Sequence, residues 1–448
     1  MKRLKITDVG PITKTAIIEF KRFCILIGPQ SNGKSTIAKI LSTCMWLEKE
    51  ACTNLSELVV ADGSAFKALV EDFHRMHNYI HPERSVIDYE SPYIHIVYDK
   101  GNFSMTFKDE LAYNRIKISY VPSDRNIITM KDIEKRDLEP TNFRSFLFDW
   151  LDTNRNFDSG HKMAILNLGM QYYHDNTAKD RKDMLSHENG VTYNIPLYDA
   201  SSGMQSLVPM IVLMHYLTSG YLNNYGTEIS YEQQQKQTKL AWAITELITK
   251  KYYGDEVKKS DYKSVYIELI KKKSEENDEA AIAQMEEMKS LYTRLVIPNG
   301  ISFVLEEPEQ NLFPKTQVDL FNDIVALCNG EHSSTVFMTT HSPYVLAAAN
   351  ILLFANKLLE AGVEKNAINE VISAGSTIPA AEFTAYTVSN GTCHSIIDEK
   401  TGLISENELD SASDYNAEVF EKLYYLNYRV RFKDDTGIPL SFDRKKIL

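Results

Sequence analysis

The sequence predicts an α/β fold built around a phosphate-binding loop, and three observations support this. Residues 28–35 read Gly-Pro-Gln-Ser-Asn-Gly-Lys-Ser and match G-x-x-x-x-G-K-[ST], the P-loop pattern. The apolar run Phe23–Ile27 predicts a buried strand before the loop, and apolar residues at helical spacing predict a helix from 36 to about 46 after it. Two further buried strands, at Ile301–Leu305 and Ser334–Thr339, are expected with a helix between them.

The residues of the P-loop are suited to hold a chain of phosphates. Gly28 and Gly33 allow the backbone to turn its N–H groups toward phosphate, and the following helix N-terminus adds a partial positive charge. Lys34 would reach the β- and γ-phosphates and Ser35 would hold Mg²⁺, so ATP and Mg²⁺ are the expected cofactors. A chance Gly-Lys-Ser loop is the alternative. The expected nucleotide contacts are Gly28, Pro29, Gln30, Ser31, Asn32, Gly33, Lys34, Ser35 and Thr36.

Length, charge and cysteine usage narrow the class of protein. At 448 residues the chain has room for two or three domains, or for one large α/β domain with an insertion. A net charge of −12 argues against a surface coated for non-specific nucleic-acid binding, although it leaves a local basic patch open.

The five cysteines show no metal-binding or disulfide-rich spacing and suit a reducing cytoplasm. The basic start is not followed by a long apolar run, so we expect no signal peptide and no membrane span.

Periodicity predicts most of the remaining elements. The expected strands are Lys5–Val9, Ala16–Phe20, the hairpin Tyr93–Tyr98 with Phe103–Phe107, and Ile116–Val121. The expected helices are Ala65–Met76, most of 130–180, Gly203 to about Tyr221, Lys315–Leu327, 342 to about 361, and Asn416–Leu426.

The composition changes at about residue 223, where the chain becomes rich in Lys, Glu, Gln and Tyr. Helical spacing continues, and we interpret 223–300 as a helical insertion, for which a helical hairpin is one form that the pattern allows. The run Lys271–Lys273 with its neighbouring acids fits a solvated helix face better than a binding site. We therefore expect an N-terminal part of the nucleotide-binding domain at 1–222, and a C-terminal part with a small extension at 301–448.

Two acids and a histidine follow the buried strands of the C-terminal part. Glu306 is suited to hold the hydration shell of Mg²⁺, and Glu307 is suited to polarise an attacking water as general base. His341 follows the next strand, where an imidazole can hydrogen-bond a γ-phosphate and respond to its loss. A solvated turn for the acids and an ordinary surface position for the histidine are the alternatives.

A run of small residues, Ser201-Ser202-Gly203-Met204-Gln205-Ser206, opens the apolar helix that follows. Small residues there leave backbone N–H groups free at a helix N-terminus, which is an anion site. An ordinary serine N-cap explains the same residues equally well.

In this order, the motifs resemble those of ATP-binding-cassette (ABC) ATPase heads, in the branch that includes RecF and the SMC proteins. Residues 306–314, Glu-Glu-Pro-Glu-Gln-Asn-Leu-Phe-Pro, are similar to the E-E-P-E-x-x-L-x-P motif of the OLD-like anti-phage ATPases. This group includes PtuA of Septu and AriA of PARIS. Val121–Arg125 is similar to their P-A-x-R segment. Ser123 stands near the position where transporter cassettes carry a Mg²⁺-contacting Gln, and Arg125 is the better candidate for a contact. The resemblance covers roughly 1–225 and 301–350.

The resemblance implies an ABC-type ATPase head in which two copies face each other, with ATP between the P-loop of one and the signature segment of the other, in a dimer or a higher assembly. Leu-Ser-Gly-Gly-Gln, the signature of the family, is matched in part, since Ser201 replaces its Leu and Met204 its second Gly. The implied catalytic residues are Glu307, His341 and Ser202. The implied signature residues are Ser202, Gly203 and Gln205. The implied magnesium ligands are Ser35 and Glu306.

The function that the resemblance implies is a nucleotide-driven sensor or scaffold of a bacterial anti-phage defence system. About a hundred residues follow His341, too few for the Toprim nuclease domain of several OLD-family chains, so we expect a separate effector protein. The effector would be released when a phage component is detected, and a phage protein or a nucleic acid is a further candidate ligand, while the sequence leaves the trigger itself open. Asp398-Glu399 is expected to form a hairpin turn rather than a metal site. The cations at 429–446 fit a solvated tail, or else a patch for a partner or nucleic acid.

Two other functional classes compete with this interpretation. A RecF-like DNA-repair ATPase that binds DNA directly is the main alternative, although the acidic balance of the chain weighs against it. A transporter subunit is disfavoured, because Met204 interrupts the signature and Ser123 stands near the position of the transporter glutamine.

Overall fold

A computed structural model describes most of the chain. The described residues are 2–54, 60–177, 182–187, 194–225, 231–254, 262–273, 278–332, 334–405 and 408–431. In chain order the strands are β1 (Lys2–Thr7), β2 (Ala16–Phe20), β3 (Phe23–Ile27), β4 (Val86–Glu90), β5 (Ile94–Asp99), β6 (Asn102–Phe107), β7 (Lys117–Val121), β8 (Met163–Ala164), β9 (Met170–His174), β10 (Asp183–His187), β11 (Asn194–Pro196), β12 (Ile301–Glu306), β13 (Thr335–Thr339), β14 (Phe383–Ser389) and β15 (Thr392–Ser395). The helices are α1 (Lys34–Asn54), α2 (Gly63–His74), α3 (Asn142–Asn154), α4 (Ser202–His215), α5 (Leu222–Asn224), α6 (Tyr231–Tyr253), α7 (Tyr262–Lys271), α8 (Glu279–Val296), α9 (Pro314–Cys328), α10 (Pro343–Glu360), α11 (Lys365–Asn369) and α12 (Glu408–Arg431).

The central sheet has six strands in the order β15-β14-β3-β13-β12-β7. From β14 to β7, each strand pairs with its neighbour in parallel. The edge strand β15 pairs with β14 in antiparallel orientation. Because the strands are parallel, the segments that follow β3, β13, β12 and β7 all leave from the same edge of the sheet. The P-loop follows β3 and opens α1, so the α/β P-loop class predicted from the sequence is confirmed.

Both faces of the central sheet are covered, which explains why its strands read as continuous apolar runs. Phe23, Ile25 and Ile27 of β3 point into one core with α3, α4, α9 and α10. Cys24 and Leu26 point into the other core, which contains α1 and the antiparallel sheet β2-β1-β4-β5-β6. The helix α1 is therefore enclosed between two sheets, and this packing fixes the position of its first turn at the P-loop.

The expectation of helix over most of 130–180 is wrong outside α3, both in the turns at 130–141 and after residue 154. After α3 the chain forms the antiparallel sheet β11-β10-β9-β8, in which Tyr172 lies opposite Leu185. Both of these side chains are fully buried in the core that includes α3. Aromatic residues favour strands, and the pairing partner lies a dozen residues away, so the local pattern gave little sign of it.

The region 223–300 forms three described helices, α6, α7 and α8, instead of a helical hairpin. Lys251 and the Tyr252 hydroxyl of α6 bond to Glu287 of α8, at 2.6 and 2.8 Å. On the inner side of these helices, Ile244 of α6 and Leu291 of α8 join the core that contains α1. The three helices therefore pack against the core that surrounds α1.

Three further features of the described residues bear on expectations from the sequence. The turn predicted at Asp398 forms, since its carboxylate accepts bonds from the backbone of Lys400 and Thr401. The cysteines at 24, 44, 52, 328 and 393 are free and buried. Within the described part of the chain, no helix is long and apolar enough to cross a membrane. Of the cations expected at 429–446, those beyond residue 431 lie outside the described residues.

Candidate functional site

The P-loop requires glycine at both of its ends. Gly28 has φ +138°, and a Cβ there would lie 2.2 Å from the Val388 carbonyl oxygen of β14. Gly33 has φ +101°, and a Cβ there would lie 2.6 Å from the Ile12 side chain. The loop then opens α1, whose first N–H groups have no partner within the helix and attract anions. Pro29, Gln30 and Ser31 are exposed, Asn32 and Ser35 are half-buried, and Gly28, Gly33, Lys34 and Thr36 are buried.

Lys34 folds back over the loop that precedes it. Its Nζ donates to the carbonyl oxygens of Gly28, at 2.7 Å, and Pro29, at 2.8 Å. Burial lowers the pKa of Lys34, while the negative charges of Glu307 and Glu309 act in the opposite direction. The ammonium group is therefore in the electrostatic reach of both acids, at the place where a phosphate chain would lie.

Glu306 is the last residue of the buried strand β12, and it lies near the start of α1. The residue is 5% exposed, and its carboxylate accepts a hydrogen bond from the Tyr120 hydroxyl of the neighbouring strand β7. Burial raises the pKa of Glu306, and hydrogen bonds from Tyr120 and Ser35 oppose the rise. A buried carboxylate beside a serine hydroxyl is a suitable oxygen pair for Mg²⁺.

Magnesium at this site needs few protein ligands. Within the described residues, no group of three or more His, Cys, Asp or Glu side chains is arranged to hold a metal. Mg²⁺ usually keeps several waters and takes one or two protein ligands together with substrate phosphates. Ser35 and Glu306 fit that requirement, and a divalent cation would compensate the buried charge of Glu306.

Glu307 turns away from β12 in a strained backbone conformation, with φ +44°. Its N–H donates to the Thr339 carbonyl of β13 at 3.0 Å, which holds the turn against the next strand. Its carboxylate lies 3.4 Å from His341 Nε2. The hydrogen bond with His341 is the main cause that lowers the pKa of Glu307, so the carboxylate is ionised at neutral pH. Strain of this kind is common where a side chain must be aimed at a reaction.

Glu309 is a site residue to which the sequence reasoning gave no role. It is buried, and its Oε1 accepts bonds from the Thr340 hydroxyl at 2.7 Å and from the His341 N–H at 2.8 Å. It thereby ties the segment after β13 to the segment after β12. The signal for it was present, since it is the last acid of Glu-Glu-Pro-Glu.

Arg125 has a different role from the nucleotide contact that was expected. It is completely buried, and its guanidinium donates to backbone carbonyls of three segments. The acceptors are Pro122 at 3.3 Å, Ser206 at 2.9 Å, Glu306 at 2.9 Å, Glu307 at 2.9 Å and Pro308 at 3.1 Å. We call residues 306–308 the β12 turn. Arg125 therefore links α4 to the β12 turn through hydrogen bonds. Ser123, the other candidate, is half-buried just beyond β7.

The signature residues differ in their exposure and in the hydrogen bonds that they make within the chain. Ser201 caps α4 by accepting from the Met204 N–H, and Ser202 is exposed at the helix start. A Cβ at Gly203 would lie 2.7 Å from the Asn311 carbonyl oxygen, so glycine is needed for close packing. The Gln205 amide donates to carbonyls of its own chain, Tyr198 at 2.6 Å and Ala200 at 3.0 Å. Of the three signature residues, only Ser202 is exposed.

Over most of its length the chain is similar to known proteins in structure. No family model matches the chain, and no curated protein matches it. Solved structures do match. The SMC head domain from Thermotoga maritima has a TM-score of 0.36 and 9% identity, over 88% of this chain and 97% of that one.

Two further solved structures also match. The ATP-binding cassette MJ0796, a dimer bound to ADP and Pi, has a TM-score of 0.24 and 10% identity, over 88% of this chain and 98% of that one. The recombination mediator RecF has a TM-score of 0.26 and 8% identity, over 88% of this chain and 97% of that one. Any conclusion about function must therefore come from the site residues of this chain.

Proposed function

We propose that this chain binds ATP with Mg²⁺ and hydrolyses it, in a site that a second copy of the chain completes. One observation carries the proposal. Lys34, Ser35, Glu306, Glu307 and His341 come from three segments that leave the same edge of the parallel sheet, and hydrogen bonds and charges connect them. These are the residue types that phosphoryl transfer to water needs.

Each residue has a definite task in this proposal. The N–H groups of the P-loop and of the first turn of α1 hold the phosphates, and Lys34 exchanges its two carbonyl acceptors for phosphate oxygens. Ser35 and Glu306 hold Mg²⁺, which when bound neutralises charge on the phosphates. Glu307 accepts a proton from the attacking water or orients it. His341 contacts the terminal phosphate.

The second copy would supply Ser202. This residue stands exposed at the N-terminus of a fourteen-residue helix, α4, where the hydroxyl and free N–H groups favour a phosphate. A γ-phosphate held by two chains has a higher affinity for the closed pair than for the open one. Binding would therefore close the pair and hydrolysis would release it.

Lys34→Ala is expected to weaken ATP binding about 10- to 100-fold, because a hydrogen bond to a charged group contributes about 1.5–3 kcal/mol. Calorimetric titration of ATP and Mg²⁺ into the purified full chain measures this. Lys315→Ala is a matched control, since Lys315 is an exposed lysine in the first turn of α9 that pairs only with Asp319 among the bonds described. Equal affinities for the Lys34→Ala and Lys315→Ala variants would exclude the P-loop as the binding site.

We further infer that the ATPase is the sensor or scaffold of an anti-phage defence system, with a nuclease or other effector in a separate chain. The support is the similarity of residues 306–314 to the OLD-like ATPases. The structure offers a physical reason for the last acid of that motif, because the carboxylate of Glu309 fixes the segment that carries His341.

Deletion of the gene from its native operon is expected to raise phage plating efficiency, and Lys34→Ala should do the same. Affinity capture of the full chain from the native host should retrieve the product of a neighbouring gene. Unchanged plating together with no captured neighbour would contradict the defence role. ATP-dependent DNA binding with a steep salt dependence would favour the RecF-like alternative instead.

A further inference from the structure

The helix α12 carries an uncovered apolar face. Several of its large side chains are exposed, including Tyr415 at 66%, Phe420 at 70%, Leu423 at 59% and Leu426 at 54%. At 100° per residue, one stripe about 140° wide collects these side chains and contains no charge. Within the described side chains of α12, the stripe consists of Tyr415, Asn416, Val419, Phe420, Leu423, Leu426 and Asn427.

The sequence of α12 continues this stripe as a heptad pattern. Its positions are spaced alternately by three and four residues over the whole helix, which is the spacing of a two-stranded coiled coil. The a and d positions are Leu409, Ala412, Asn416, Val419, Leu423, Leu426 and Val430. A single polar residue, Asn416, occupies an a position, and such an asparagine specifies register and a two-stranded state.

We propose that α12 pairs with α12 of a second copy in a parallel two-stranded coiled coil that forms without nucleotide. In the parallel register, Asn416 faces Asn416 of the other copy, and the two amides can satisfy each other. Tyr415 at a g position lies beside Phe420 at the e position of the other copy, which makes an aromatic contact on each side of the seam. None of these residues belongs to the P-loop or to the signature segment.

The charges of α12 favour this partner over a lipid surface. Asp414, Glu418 and Glu421 occupy c and f positions, away from the seam, so two parallel copies can approach without placing like charges in contact. A helix that lies on a membrane has a polar face rich in Lys and Arg, whereas the sequence of α12 contains five acids and three cations, Lys422, Arg429 and Arg431. In an antiparallel pair, Asn416 would face an apolar residue and lose its partner.

The test is the mass of the full chain in solution without nucleotide, measured by light scattering during size exclusion. The parental chain should elute at about twice 51.2 kDa, and Leu423→Lys should elute as a monomer. Lysine is a good helix former, so the helix itself is retained, and circular dichroism checks this. Ala417→Lys places the same charge on the outer face and should remain a dimer.

Lys34→Ala should also remain a dimer, which separates this pairing from ATP-driven assembly. A monomeric parental chain, or a Leu423→Lys variant that stays dimeric, would overturn the proposal. Orientation is tested by Asn416→Cys, which should form an intermolecular disulfide on mild oxidation. The native cysteines are buried, so the parental chain is the blank. A dimer that does not cross-link at 416 would overturn the parallel arrangement.

Discussion

Glu307→Gln is expected to lower the rate of ATP hydrolysis about 10²- to 10⁴-fold while ATP binding stays within about twofold. Glutamine has nearly the same shape and keeps the acceptor that faces His341, so the strained turn is preserved. It cannot take a proton from water. Loss of general-base function therefore falls on the chemical step rather than on binding, and the pair of copies should be held in its ATP-bound state.

Phosphate release at saturating ATP measures the rate, and a fluorescent ATP analogue measures binding. The matched control is Glu331→Gln, which makes the same change at an exposed residue after α9. Hydrolysis at the parental rate in Glu307→Gln would show that another group activates the water. A parallel loss of binding would show instead that Glu307 supports the phosphates or the metal.

The pKa of Glu307 adds a pH dependence to this prediction. Since the hydrogen bond from His341 holds that pKa below its usual value, the carboxylate stays ionised as the pH falls from 8 toward about 5. Hydrolysis should therefore show no acid limb from Glu307 within this range. A limb centred near pH 6 would indicate that a different group controls the rate.

The sequence was most informative where a function depends on neighbouring residues in the chain. The P-loop pattern is eight residues long, and its strand and helix can be read from apolar spacing beside it. Glu306 ends a strand that is buried on both faces and Glu307 follows it, so their position at the carboxyl end of a sheet strand could also be predicted. Local patterns carry these features because the backbone conformation of each depends on a few adjacent residues.

Features that depend on distant segments could not be read in the same way. Tyr120 reaches Glu306, 186 residues further along the chain, only because β7 pairs with β12. The strand β9 was taken for helix because its partner β10 decides its conformation. Arg125 shows this dependence most clearly. In the sequence it lies in a segment similar to one in nucleotide-binding proteins, which suggests a contact with the ligand. The structure shows instead that its guanidinium donates to backbone carbonyls of distant segments.

Arg125→Met is expected to destabilise the fold by about 3–5 kcal/mol, because several buried carbonyl oxygens lose their donor and each unsatisfied acceptor costs about 1–3 kcal/mol. Burial lowers the pKa of Arg125 to about 10, so the guanidinium is still charged at neutral pH and all of its hydrogen bonds are charge-assisted. Methionine fills similar space without donating any of them. The carbonyls of Glu306, Glu307 and Ser206 would then lose their buried donor.

Urea unfolding compares this variant with Arg75→Met, a nearby control. Arg75 is an exposed arginine that pairs with Asp124 at 3.1 Å, and loss of such a surface pair costs about 0–1 kcal/mol. Because Arg125 holds the backbone of the β12 turn, its replacement should also reduce hydrolysis more than ATP binding. Equal stability of the two variants would show that water or relaxation satisfies the carbonyls. In that case the β12 turn and α4 would not be coupled through this side chain.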